Sequence, residues 1–100
     1  MADKKKDIMS IDCRVVEIGD TKEFGNNGFK KRDLICVDDT GQYENIYVFE
    51  FVQDKTELID DLMPDSYVTV CFNIRCRRVE RPGKEDIYFT SLQGWKIDLQ

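Results

Sequence analysis

The sequence predicts an all-β fold, a five-stranded Greek-key β-barrel with one short helix between its third and fourth strands. Three observations carry that expectation. Apolar residues recur with period 2 through most of the chain, a single segment has a helical period, and turn residues divide the strand-like runs at short intervals.

The first strand, "SIDCRVVEIGD", alternates apolar and polar residues from Ile11 to Val15 and loses phase at Val15–Val16, which predicts a bulge or a strongly coiled strand. "TKEFGNNGF" follows with Asn27–Gly28 as its turn signal, and "FKKRDLICVD" is the second strand. Its phase is open: the inward pair is either Leu34 and Cys36 or Ile35 and Val37, which decides whether Lys30 and Arg32 or Lys31 and Asp33 face a ligand groove. No helical pattern follows "GNNG", so it reads as a hairpin turn rather than a phosphate cradle. "DDTGQYEN" is likewise a connection rather than a calcium loop, because the rest of that ligand pattern is missing. It leads into the third strand, "IYVFEFVQ", rich in aromatic and β-branched residues.

"DKTELIDDLMPDS" is the expected helix, with Asp54 as its cap, Glu57 as the capping-box partner, and Leu58, Ile59, Leu62 and Met63 on one apolar face. Pro64 ends it, and Asp60 and Asp61 face outward. "YVTVCFNIRCRRVE" is a long fourth strand with Val68, Val70, Phe72, Ile74 and Cys76 inward, and Tyr67, Thr69, Cys71, Asn73, Arg75 and Arg77 on the opposite face. Pro82–Gly83 makes the turn, and "DIYFTSLQGWKIDL" returns as the last strand, kinked at Gly94 before Trp95, Ile97 and Leu99. Residues 1–9 read as a flexible arm and 10–100 as one domain. Three strands, a helix and two more strands, with a coiled first strand, give the order of an OB-type barrel whose helix plugs one end. The rival, an SH3-like barrel, usually lacks that mid-chain helix.

Composition excludes several classes. At 100 residues the chain is one domain, able to bury somewhat over ~60% of its unfolded surface. No apolar run approaches the ~20 residues that span a bilayer, and "MADKKKDIMS" lacks the apolar segment of a secretory signal, so a cytoplasmic protein without a membrane partner is expected. Cys13, Cys36, Cys71 and Cys76 all fall in strand-like runs with no CxxC, and Cys71 and Cys76 point to opposite faces of one strand. Buried, reduced thiols are therefore expected, with no metal and no cofactor. The chain has no histidine, and no carboxylate spacing marks a catalytic pair, so it does not read as an enzyme.

Charge carries the functional signal. The formal net charge is -5, yet acids crowd residues 38–65 whereas Arg75, Arg77, Arg78, Arg81 and Lys84 crowd one hairpin. In an OB barrel the ligand face crosses strands two and three, flanked by the loops joining strands one to two and four to five. That brings Lys30, Lys31 and Arg32 beside the hairpin cations as a positively charged channel, while the acidic helix and connection face elsewhere. Tyr47, Tyr88, Phe29 and Phe24 are the candidate platforms for stacked bases, and Phe49, Phe51, Phe72 and Trp95 read as core.

The pieces "GFKKRDLIC", "YVFEF", "LIDDLMPDSYVTVCFNIRCR" and "FTSLQGWKI", in that order and spacing, resemble the small uncharacterised OB-fold proteins of bacteria and their phages, which are similar to single-stranded-DNA-binding proteins. The likeness spans Ile11 to Leu99. It implies the fold, single-stranded DNA as partner with RNA left open, and a place in phage or bacterial replication or recombination, with replication proteins as further partners. The long acidic-ended tail with which many such proteins recruit those partners has no counterpart after "GWKIDLQ", so recruitment by that route is not expected, and "PDS" stands where the family often has glycine. The alternative function is a protein-interaction module using the acidic helix face or a strand edge. Strand edges of such barrels pair between subunits, which leaves a homo-oligomer open.

Overall fold

The computed structural model describes residues 8–25 and 28–100, so most of the expected arm and Asn27 of the expected turn lie outside the described residues. Met9, assigned by sequence to the arm, already belongs to the first strand. Six strands form: β1 Met9–Ile18, β2 Lys22–Phe24, β3 Phe29–Asp38, β4 Asn45–Val52, β5 Tyr67–Val79 and β6 Ile87–Leu99, with a helical segment Gln53–Ile59 between β4 and β5. The sheet runs β1-β5-β6-β4-β3-β2, and β1 also pairs with β3. That last pairing closes five strands into the expected barrel. β2 is additional, a short antiparallel partner that extends β3 beyond the barrel as a hairpin arm.

Closure depends on β1 holding two partners. Met9–Arg14 pair with β5 and Arg14–Ile18 with β3, and the register on β3 slips between Val15 and Glu17. This is the bulge that the lost phase at Val15–Val16 predicts: Val15 is buried, and Val16, the extra residue, is exposed. Leu34 and Cys36 are the fully buried pair of β3, which resolves the open phase and leaves Lys31, Asp33 and Ile35 facing outward. With Val15, Phe49, Phe51, Ile59, Val68 and Val70 they form the core. Each large side chain fully buried there contributes roughly 1.5–3 kcal/mol.

The helix differs from expectation. It is a 3₁₀ helix with Val52 at its N-cap and no side-chain cap, so Asp54 and Glu57 make no capping box. Its threefold repeat buries Thr56 and Ile59 and leaves Leu58 exposed, while Met63 lies exposed beyond its end. Thr56 Oγ donates to the Gln53 carbonyl at 2.8 Å, a local bond that suits the tighter turn.

β5 and β6 are each 13 residues long and pair from Val68–Leu99 to Val79–Ile87. β4 reaches β6 at Phe49–Leu92 and Glu50–Gln93. Past that contact the ribbon pairs with itself alone, so Ile74 and Cys76, expected inward, are exposed. The expected kink at Gly94 is a bulge, in which Trp95 is the extra residue opposite Cys71–Phe72. Gly94 itself is buried against Phe51, where an added Cβ would collide with the Cζ and both Cε atoms of the ring.

Cys13, Cys36 and Cys71 are buried and free, as expected, and Cys76 is exposed. A hydrogen bond with Cys13, reinforced by burial, pushes the Cys36 thiol far above its ordinary pKa. Two predictions follow from this packing. In the native protein an aromatic disulfide reagent should titrate one thiol rapidly, Cys76, and all four after denaturation; four rapid thiols would contradict the burial. Gly94→Ala should lower stability by about 1–3 kcal/mol through overpacking, read as a reduced urea midpoint at unchanged slope.

Candidate nucleic-acid interface

Two projections flank one groove on the outer barrel surface. The first is the β2–β3 arm, where Phe24 pairs with Phe29 and Lys22 with Lys31. Alternation puts all four side chains on one face, continuous with the outward face of β3. The second is the free part of the β5–β6 ribbon, where Arg75 pairs with Ser91 and Arg77 with Phe89. Between them lies a groove of about 810 Å³ with Phe29 and Lys31 on one wall, Arg75, Arg77 and Phe89 on the other, and Glu50 and Gln93 on its floor.

The charged groups of this groove are ordered by neighbours. The Arg77 guanidinium sits over the Phe89 ring, 5.7 Å from its centroid, a cation–π contact that fixes both. Arg75 Nη1 donates to Gln93 Oε1 at 3.3 Å, and Lys31 Nζ lies 3.4 Å from Glu50. Among the described residues neither Arg75 nor Arg77 forms an ion pair with a carboxylate. Their charge is therefore available to an anionic ligand. Three cations, Lys31, Arg75 and Arg77, surround one carboxylate, so the local field is positive on a protein of net negative charge.

Of the residues expected at the interface, the structure brings together Lys31, Arg75, Arg77, Arg78 and Phe29. Phe24, 49% exposed, lies beside them on the arm. Arg78 is on the opposite face of the ribbon from Arg77, paired across the strands with Tyr88 and ion-paired with Glu80 at 3.0 Å. Tyr88 therefore points away from the groove. Arg81 donates twice to the Glu85 carbonyl, at 3.1 and 3.0 Å, and ties the hairpin tip, where Lys84 also sits.

Besides Tyr88 and the tip residues Arg81 and Lys84, three more expected residues lie outside the groove for physical reasons. Arg32 lies on the buried phase of β3; its guanidinium donates to the carbonyls of Gly19 (2.7 Å) and Thr56 (3.3 Å) and to the Asp60 carboxylate. It joins the end of β1 to the helix and is not free to meet a ligand. Lys30 shares that phase and pairs across the arm with Glu23. Tyr47 packs against the core, its ring 6.0 Å from Phe49 and nearly parallel to it at 15°.

The acidic segment also departs from expectation at one point. Glu50 enters the groove and faces Asp33 across β3 and β4, whereas Asp39 and Asp65 pair with Arg14, away from it. Phe89, 51% exposed, and Gln93 were not among the expected residues. Counting pairs outward from a turn centred on Gly83 sets Arg77 opposite Phe89, which is the signal that would have found it.

Fold and site together define an OB barrel with a cationic, aromatic-walled groove. Residues 10–98 match the family described as "Domain of unknown function (DUF3127)", and the chain belongs to that family. No curated protein matches it in sequence. Among solved structures it is similar to Rim1, a mitochondrial single-stranded DNA binding protein of S. cerevisiae, at 16% identity and a TM-score of 0.67, with 96% of each chain covered. It is also similar to the SSB domain of a Synechococcus sp. protein, at 11% identity and a TM-score of 0.67, covering 96% of this chain and 98% of that one. At these identities the likeness establishes the shared fold, in agreement with the resemblance read from the sequence.

Because Arg32 is spent on internal contacts, Arg32→Gln should cost about 1–3 kcal/mol of stability, from lost charge-assisted hydrogen bonds, and leave oligonucleotide affinity of the folded protein unchanged. Chemical denaturation and a binding titration on the same sample check both halves.

Proposed function

We propose that the chain is a non-enzymatic binder of single-stranded nucleic acid, DNA foremost, acting in the cytoplasm in phage or bacterial replication or recombination. The observation that carries this reading is the meeting of Phe29 and Lys31 with Arg75, Arg77 and Phe89 across one groove. An unpaired base offers both π-faces to Phe29 and Phe89, worth about 1–3 kcal/mol per stacked base, whereas a duplex hides those faces. The cations meet the phosphates and make affinity depend on salt. The solved structures with the same fold, whose names carry single-stranded DNA binding, support the reading by analogy. Docking of a protein on the acidic helix face has less support, since Arg32 already neutralises Asp60 there.

Anisotropy of a labelled oligothymidylate at low and moderate salt tests the proposal. Engagement of the three groove cations Lys31, Arg75 and Arg77 would give log K against log salt a slope of about -2, at roughly 0.7 per phosphate on a single strand. The double variant Arg75→Glu, Arg77→Glu should lose about tenfold or more in affinity and flatten that slope, while remaining folded by circular dichroism. Duplex competitor should displace poorly; RNA competitor reports the sugar preference. Unaltered binding by the double variant would place the site elsewhere.

A further inference from the structure

Gln93 borders two depressions. One is the groove above; the other, about 340 Å³, lies farther along β6 and is lined by Val52, Asp54, Lys55, Asn73 and Trp95. Alternation puts Phe89, Ser91 and Gln93 on one face of β6. The bulge opposite Cys71–Phe72 keeps the next large side chain on that face as well: Gly94 turns inward against Phe51, and Trp95 stands half-buried at the wall of the second depression. Phe89 and Trp95 are six residues apart, about 20 Å along the strand at ~3.3 Å per residue.

Charge selects this direction over the route across the sheet. Asp33 and Glu50 face each other in the middle of β3–β4, and a polyanion crossing there would meet two carboxylates. Lys31 offsets one of them. Along β6 the strand itself carries no acid between Phe89 and Trp95, and the line meets one carboxylate, Glu50 beside Gln93, which is the one that Lys31 offsets. Arg77 and Arg75 flank the first part of that line, and at its far end Lys55 forms no ion pair among the described residues, although Asp54 shares the depression.

We propose that a bound single strand runs lengthwise along β6, from Phe89 over Gln93 to a second stacking subsite at Trp95, with Lys55 on its phosphates. This inference rests on the single-strand reading above and adds the path and the second platform.

Trp95 is the chain's one tryptophan, so its emission reports on that subsite alone. The full chain is titrated at low salt with a labelled oligothymidylate of about 12 nucleotides, within the usual site size of one OB fold, and anisotropy and tryptophan emission are followed together. Emission should be quenched in step with anisotropy. Trp95→Ala should weaken binding about 5- to 100-fold, and Trp95→Phe, which keeps a stacking face, should recover most of that. Lys55→Glu, a change on an exposed side chain, guards against misfolding of the tryptophan variants and should weaken binding and flatten the salt slope. Full anisotropy change with constant emission, and wild-type affinity for Lys55→Glu, would overturn the path while leaving single-strand binding intact. No anisotropy change at any salt would remove both.

Discussion

A single strand shared between two partners is the constraint on which the rest of this molecule depends. β1 pairs with β5 through its first half and β3 through its second, and the extra residue at Val16 supplies the bend between them. Without that bend β3 and β5 would have no common neighbour and the sheet would stay open, with Leu34, Cys36, Val68 and Val70 deprived of one wall. Arg32 secures the same region by bonding to Gly19, just after β1, and to the helix. Its burial among three acceptors is the cost of closure, since it withdraws a cation from the surface.

Closure also explains why the groove exists. β5 and β6 are longer than the barrel needs, and β4 engages β6 through two residue pairs. Beyond them the ribbon has no third strand, so both its faces are exposed and one of them stands as a wall opposite the β2–β3 arm. Arg77 is stacked on Phe89 within the protein itself, which reduces the side-chain entropy that ordering on binding would cost. The net charge of the chain says little about this region: Arg14 and Arg32 neutralise acids elsewhere, while Arg75 and Arg77 keep their charge.

Much of the fold could be read from local patterns, because the features that specify it are local. The phase slip at Val15–Val16 is visible in a few residues, and so are the inward Val68 and Val70 and the irregularity at Gly94. The short helix is legible in place but not in its winding or cap, since a 3₁₀ turn and an α-turn share the same apolar residues and differ in which of them the barrel end accepts. The candidate site was legible in part. Arg75 and Arg77 left the core by spacing alone, but Arg32 and Tyr47 could be excluded only by knowing what lies above and beside them.

By itself the sequence determined the order of the five barrel strands, the barrel class, the break in phase at Val15–Val16 and the concentration of cations in one hairpin, though not the short β2, since periodicity and charge spacing are properties of neighbours along the chain. Tertiary structure alone decided which cations face a common groove. It also decided that Phe89 and Trp95 lie on the same outer line of β6, and that Glu50 joins the floor. Those facts depend on how far β4 accompanies β6 and where each strand departs from its partner, which is settled by contacts between residues distant in sequence.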